Sequence, residues 1–557
     1  MAMVTAMVMA MGDDGRNRRS HRLSRQLPGI SIRRGPLISP APPPRHACAV
    51  ALGCLALAAP AHAENWRITP SASLTETYTS NVNYSAASNA QGDFATTVTG
   101  ALAINGQGAR VRLNGTIAAT GLFYVKETQN NSFAPSVNLT GTVEAIEKFL
   151  YIDGTALVTQ TFASPFGPQP GNLVNATANR YTQQTYNLSP YIVGHIPGTN
   201  ITYRVRDDNI WTLSSNYGNN SLDPPGTYFN QLNANIGSPP APWGWTGEYI
   251  RTHYAPTDKQ TFGSYTIQLA RVIATYQYDP SLQASLRGGY EKDEFPLTSS
   301  DGIIYGAGLQ WSPSDRTQVG GYWEHRFFGS SYSAQFSHRL PRTALAISFA
   351  RGLNTYPQNA LTIPAGANVP AFLDAAFATR IPDPAERALA VQQFLAQSNL
   401  PATLATPVNV FAATVQLQTT ATATAVLLGL RNSLAFSLYY TKSTAISGTG
   451  QSLPDALQLG QNNTQTGGGV SFSHKISGLT SLTASGTFSR TTSNDSRGAF
   501  AGADSNNWYA SAGLVTALGP KTSASFGANY TRFIPTGIVE TNTTSSYSVY
   551  AGISHVF

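Results

Sequence analysis

Charged residues in this chain recur two and four positions apart. Arg110 and Arg112 form one such pair, Arg204 and Arg206 another, and Arg287 precedes Glu291; Glu144 stands in a similar alternating run. Residues at i and i+2 of an extended strand share a face, so each set presents its charge on one side. Clustered guanidinium groups on a wet face hold phosphate, sulfate or carboxylate through paired hydrogen bonds. Where carboxylates stand on neighbouring strands, the same groups pair with one another and keep a polar interior ordered. Both readings stay open. Arg251, Glu324 and Arg326 are weaker members of the set.

Groupings that would do covalent chemistry are absent. No G-x-S-x-G, H-E-x-x-H or Walker sequence occurs, and His195, His253, His325, His338, His474 and His555 are scattered. The segments 493–498 and 503–507 carry loop oxygens but read as ordinary hydrophilic loops. No enzyme activity, cofactor or metal is expected. A chemistry of passage or binding remains.

The elements that must position these charges repeat from Trp66 onward. In Ala109–Tyr124, Val111, Leu113, Ile117, Ala119 and Phe123 share one parity against Arg110, Arg112, Asn114 and Thr116. Tyr203 and Val205 alternate with Arg204 and Arg206, and Leu282, Ala284 and Leu286 with Gln283, Ser285 and Arg287. Such runs of about ten residues are separated by tight breakers that alternate with long Asn/Ser/Gly-rich loops. One connection, near Phe328–Gly329, is short where a long one is due. The pattern predicts an all-β chain of about 22 antiparallel strands, within a range of about 20 to 24.

Charged residues are only 11% and aromatics 10%, against about a quarter charged in soluble domains. Small and aromatic residues alternate with uncharged polar ones, as in a wall with lipid on one side and water on the other. A single closed transmembrane barrel accommodates so many strands without an open edge. The final run, Ser546–Phe557, alternates to its last residue, and the first strand is its expected partner. Trp66, Tyr78, Phe123, Trp211, Trp243, Trp245, Trp311, Trp323 and Trp508 lie near predicted strand ends, as interfacial girdles do.

Residues 1–63 read as an export signal with a long basic n-region. Eight arginines precede an apolar core, Ala47–Ala59, that is too short to span a bilayer, and Ala61 and Ala63 set cleavage before Glu64. Removing those arginines with Asp13 and Asp14 from totals of 35 and 28 leaves 27 basic against 26 acidic residues. The net charge of +7 therefore gives no support for a nucleic-acid partner. Both cysteines and all five methionines lie in the same segment, so residues 64–557, the expected outer-membrane barrel, contain no thiol.

Residues 352–413 interrupt the pattern with helical signals. Asp383 offers an N-cap, Pro384 a first helical position and Glu386 a first-turn carboxylate; Ala388, Val391, Phe394 and Leu395 form an apolar stripe. The insertion either packs on itself as an outer loop or folds into the lumen. In the second case Asp383, Glu386, Arg387 and Phe394 are the candidate constriction.

The terminal stretch with Tyr547, Val549, Ile553 and Phe557 resembles the C-terminal signal of bacterial outer-membrane proteins, which implies recognition by the barrel-assembly machinery. His555 stands where an aromatic or aliphatic residue is usual. Trp66–Tyr84, together with 162–172, 186–194 and 381–401, resembles a family of outer-membrane β-barrel porins found with exopolysaccharide and PEP-CTERM (exosortase) loci. That resemblance implies a barrel in the outer membrane that forms or supports a passage for polar solutes, with exported polysaccharide as the cargo it points to and polysaccharide-export components as partners. A general diffusion porin and an adhesion barrel with a closed lumen remain the alternatives.

Overall fold

A computed structural model describes residues 65–557 except 217–223, 258–262, 296–298, 447–461, 496–500, 538–541 and most of 362–414. The expected signal segment 1–63 lies outside the described residues, as do Asp383, Glu386 and Phe394.

The strands are β1 Asn65–Thr79, β2 Asp93–Gln107, β3 Val111–Tyr124, β4 Ser132–Ile146, β5 Leu150–Phe162, β6 Arg180–His195, β7 Thr202–Asn216 and β8 Thr227–Ser238. They continue as β9 Trp243–Pro256, β10 Tyr265–Asp279, β11 Leu282–Glu294, β12 Ser299–Ser314, β13 Thr317–Arg326, β14 Gly329–Leu340 and β15 Thr343–Asn354. After a short helix, α1 Tyr356–Leu361, come β16 Gln416–Leu428, β17 Asn432–Ala445, β18 Asn463–Lys475, β19 Thr480–Ser493, β20 Asp504–Ala517, β21 Thr522–Thr536 and β22 Thr544–Val556.

Each strand pairs antiparallel with its sequence neighbours, and β1 pairs with β22 from Ser71–Val556 to Thr79–Ser548. The sheet of 22 strands is therefore a closed cylinder. Backbone bonds finish the seam at both ends: the Phe557 amide donates to the Pro70 carbonyl (2.9 Å), and the Ser80 amide to that of Tyr547 (3.0 Å). The alternating last strand is thus no edge. Its Tyr547, Val549 and Ile553 face outward and are exposed.

Short turns gather at one end of the cylinder and long loops at the other, as sequence alternation requires. The exception is the two-residue link Phe327–Phe328 between β13 and β14, where Gly329 takes a φ of +93°. Register separates an apolar outward face from a polar inward one over most of the cylinder. Outward positions carry Leu74, Val272, Leu286, Ile303, Leu309 and Phe526, all exposed. Aromatic pairs bound this belt, with Trp243–Tyr276 (4.7 Å) towards the short turns and Trp211–Tyr228 (5.7 Å) and Phe488–Trp508 (4.3 Å) towards the long loops. An apolar belt between aromatic girdles on a closed cylinder is a lipid-facing wall. The chain is an outer-membrane β-barrel, its long loops on the outer side. The buried clusters lie inside the cylinder, where loops fold against inward-facing side chains.

Candidate functional site: the barrel lumen

Inward-facing charge is organised into three groups. In the first, Arg206 bridges Asp153 (2.5 Å) and Asp208 (2.8 Å). Both Arg204 and Arg206 lie over the Tyr191 ring, 4.9 and 5.2 Å from its centroid. Tyr191 in turn stacks on Tyr151 (5.2 Å), whose hydroxyl donates to Glu144 (3.2 Å). In the second, Arg271 pairs with Glu248 and Glu324, both at 2.6 Å, and Arg287 shares Glu324 at 3.1 Å while covering the Tyr322 ring at 4.1 Å. The third joins Arg326 to Glu291 through Nε (2.9 Å) and Nη2 (2.6 Å), and the Phe327 amide donates to the other oxygen (2.7 Å). Asp293, two residues along the same face, is fully buried, and neither of its oxygens has a hydrogen-bond partner among the described residues.

Of the expected lumen set, Arg204, Arg206, Arg287, Glu144 and Glu291 enter these groups. Arg112 takes the inward parity but makes no ion pair among the described residues. Arg110 does not sit on the strand; it lies in the β2–β3 turn and meets Glu147 of the next turn at 3.5 Å. Glu324 and Arg326 point inward. Arg251 is a correction: it pairs in register with outward Gln268 and Leu232 and faces lipid, because its strand's inward parity belongs to Glu248, Ile250 and Thr252. Asp153, Asp208, Glu248 and Arg271 complete the groups. Their own parity was visible in the sequence, but which strands they faced was not.

Pairing cancels most of the charge, so the wall offers neutral polarity more than a fixed field. Beneath Arg287, towards the short turns, a recess of about 270 Å³ is lined by Gln283, Gln310, Gln335, Ser285 and Tyr322. Amides and hydroxyls there donate and accept in turn, which suits hydroxylated solutes.

Two loops from the outer mouth fold into this lumen. The first, between β5 and β6, is held by Arg180, whose guanidinium donates to the carbonyls of Pro170, Asn172, Leu173 and Asn175 (2.6–3.3 Å). Its Asn175 amide reaches the closing seam and donates to Thr79 Oγ1 (3.0 Å), Asn81 O (2.7 Å) and Ser546 Oγ (3.1 Å). Across the mouth, Asn172 bonds Asn529 (2.9 Å), and Gly171 lies so close to Tyr509 that a Cβ there would stand 2.4 Å from the ring. Nothing in the period-two pattern announced Arg180; a lone arginine at a strand's outer end reads equally well as a surface charge.

The second loop is the insertion between β15 and β16. Near the mouth it is tied to one wall: the Tyr356 and Tyr181 hydroxyls share a hydrogen bond (2.8 Å), and the Tyr254 hydroxyl donates to the Ala412 carbonyl (3.2 Å). On the far wall Gln465 brackets the Val408 backbone, accepting from its amide (2.8 Å) and donating to its carbonyl (3.0 Å). Strand order puts β6 and β9 well round the cylinder from β18, so the insertion crosses the lumen. It also descends it. Buried Leu373 and Val391 pack with Ala344, Val426 and Ala435, inward residues at the short-turn ends of β15, β16 and β17. Arg387 braces the descending segment by bonding Asp374 (2.7 Å) and the Ile381 carbonyl (3.1 Å). The described part of the insertion is thus lodged within the cylinder.

No family model matches the sequence, and no curated protein matches it. Among solved structures the chain is similar to the FrpB iron transporter from Neisseria meningitidis in its apoprotein form, with 10% identity, 88% of this chain and 81% of that chain covered, and a TM-score of 0.43. It is similar also to the siderophore receptor PirA from Acinetobacter baumannii (8% identity, 88% and 80% covered, TM-score 0.40) and to OccAB1 of that organism (10%, 88% and 97%, 0.34).

Proposed function

We propose that the barrel is a gated passage for polar solutes across the outer membrane, with the β15–β16 insertion as its gate. One observation carries this reading: Leu373 and Val391 dock on Ala344, Val426 and Ala435 at the end of the lumen opposite the insertion's own root. A loop with only a surface role has no reason to bury apolar side chains there. A cylinder of this strand number has a backbone radius of roughly 20 Å, from ~4.8 Å strand spacing and ~40° tilt, and needs filling if it is not to leak.

The cargo we infer is hydroxyl-rich and of low net charge. The paired arginines and the amide-lined recess support that class, and exported polysaccharide, as the resemblance to exopolysaccharide-locus porins implies, is its most specific member. Export components of the envelope are then the partners, and the assembly machinery reads the Tyr547–Phe557 strand. Planar-bilayer conductance of the chain, compared with a variant lacking 362–404, tests the gate. Small, rare openings giving way to large steady ones on deletion fit the proposal; equal conductance rejects it. Loss of secreted polysaccharide in a knockout tests the cargo separately.

A further inference from the structure

The outward face of β7 to β9 does not match the rest of the belt. On β7 the outward residues run Tyr203, Val205, Asp207, Asn209 and Trp211. Tyr203 and Trp211 mark the two aromatic levels, and Asp207 stands four residues from each. At ~3.3 Å per residue and ~40° of tilt, that places its carboxylate ~10 Å from either edge, deep in the apolar belt. It accepts from Asn209 (2.8 Å) and from Asn230 of β8 (2.7 Å), while the Tyr228 hydroxyl donates to Asn209 (2.7 Å). Its neighbour Asp208 faces the lumen and is paired there. On β9, two strands along and nearer the outer girdle, exposed Arg251 also faces outward and makes no ion pair among the described residues. Directly below lies a groove of about 630 Å³ whose floor includes Ala234, Gly247, Ala270 and Gly288.

A carboxylate, two amides and an arginine are poor neighbours for hydrocarbon. An acyl chain would fill the groove but leave both charges unanswered. We propose that a second copy of this chain covers the face, about a two-fold axis parallel to the membrane normal that crosses β8 at Leu232, which pairs with both Asp207 and Arg251. Asp207 and Arg251 flank β8 on either side, ~10 Å apart at ~4.8 Å per strand. A two-fold through β8 exchanges those flanks. It lays β7 of one copy against β9 of the other and brings each Asp207 to the other copy's Arg251. The patch is self-complementary, as an isologous contact must be. Leu232 lies nearest the axis and meets its own equivalent, and the small-residue floor lets the walls approach.

The test uses the full chain carrying Cys48→Ala and Cys54→Ala, oxidised in isolated outer membranes. Leu232→Cys is expected to give a disulfide-linked species of twice the chain mass; Val470→Cys, outward on the far wall, is expected to give none. Arg251→Asp or Asp207→Arg lowers the Leu232→Cys dimer about tenfold, and combining the two restores it, because reversing both charges rebuilds the pair. Heat-modifiable gel mobility of each variant separates loss of contact from loss of fold. The proposal falls if Leu232→Cys links no better than Val470→Cys, if the adduct has another mass, or if the charge reversals leave the yield unchanged.

Discussion

Leu373→Ala is the sharpest perturbation of the gate. Leu373 is 0% exposed in a cluster with Ala344, Val391, Val426 and Ala435, and those small wall residues cannot collapse onto a vacated site. Truncating such a leucine costs about 2–4 kcal/mol, transfer and cavity together. The loss falls on the docked insertion and spares the barrel, whose backbone ladder does not involve Leu373. At 1.4 kcal/mol per decade, the undocked fraction rises roughly 30- to 700-fold. Single-channel recording reads this directly as time spent in the large-conductance state, up to saturation. Val391→Ala is a smaller truncation and gives a smaller rise, and lipid-facing Leu438→Ala gives none. If folded Leu373→Ala barrels open no more than the parent while deletion of 362–404 opens them fully, docking does not run through this cluster.

Arg326→Ala leaves Glu291 buried without its cation, beside the buried carboxyl of Asp293. The cost is about 3–5 kcal/mol in urea unfolding, and Glu291→Leu with Arg326→Met recovers most of it. Asn175→Ala removes three bonds from the seam side of the first inward loop, worth about 1–3 kcal/mol, and should speed proteolysis of 163–179 without changing gel mobility. Burial pushes the Tyr84 hydroxyl, in the loop after β1, up to about 12 from its ordinary 10.0. The neutral phenol's contribution is therefore complete below about pH 10 and is lost as pH rises through about 12, so protease access to 80–92 should increase across that window. Tyr84→Phe should abolish the dependence.

Strand number, closure and the two faces were legible because period-two alternation is dictated locally: Val111, Leu113 and Ile117 have only to face lipid, whatever their neighbours. Partners distant in sequence were not legible. Parity placed Arg287 and Glu291 inward, but whether each meets Glu324 or Arg326 depends on register across strands. The destination of Leu373 was hidden for a related reason. Ala344, Val426 and Ala435 read as unremarkable small inward residues, and nothing local says that a helical segment will reach them. Asp207 and Asp208 carried an overlooked signal. Adjacent strand residues face opposite ways, so one of two consecutive carboxylates had to meet the lipid side.

A gate of this kind requires that the insertion occupy the inside of the cylinder. Leu373→Cys with Val426→Cys, in the chain without Cys48 and Cys54, joined by a short bis-methanethiosulfonate reagent, asks this directly. The predicted result is an intramolecular link that suppresses the rare openings of the parent chain and is reversed by dithiothreitol. Failure of the two thiols to join in folded barrels, or a link that leaves conductance unaltered, would contradict it.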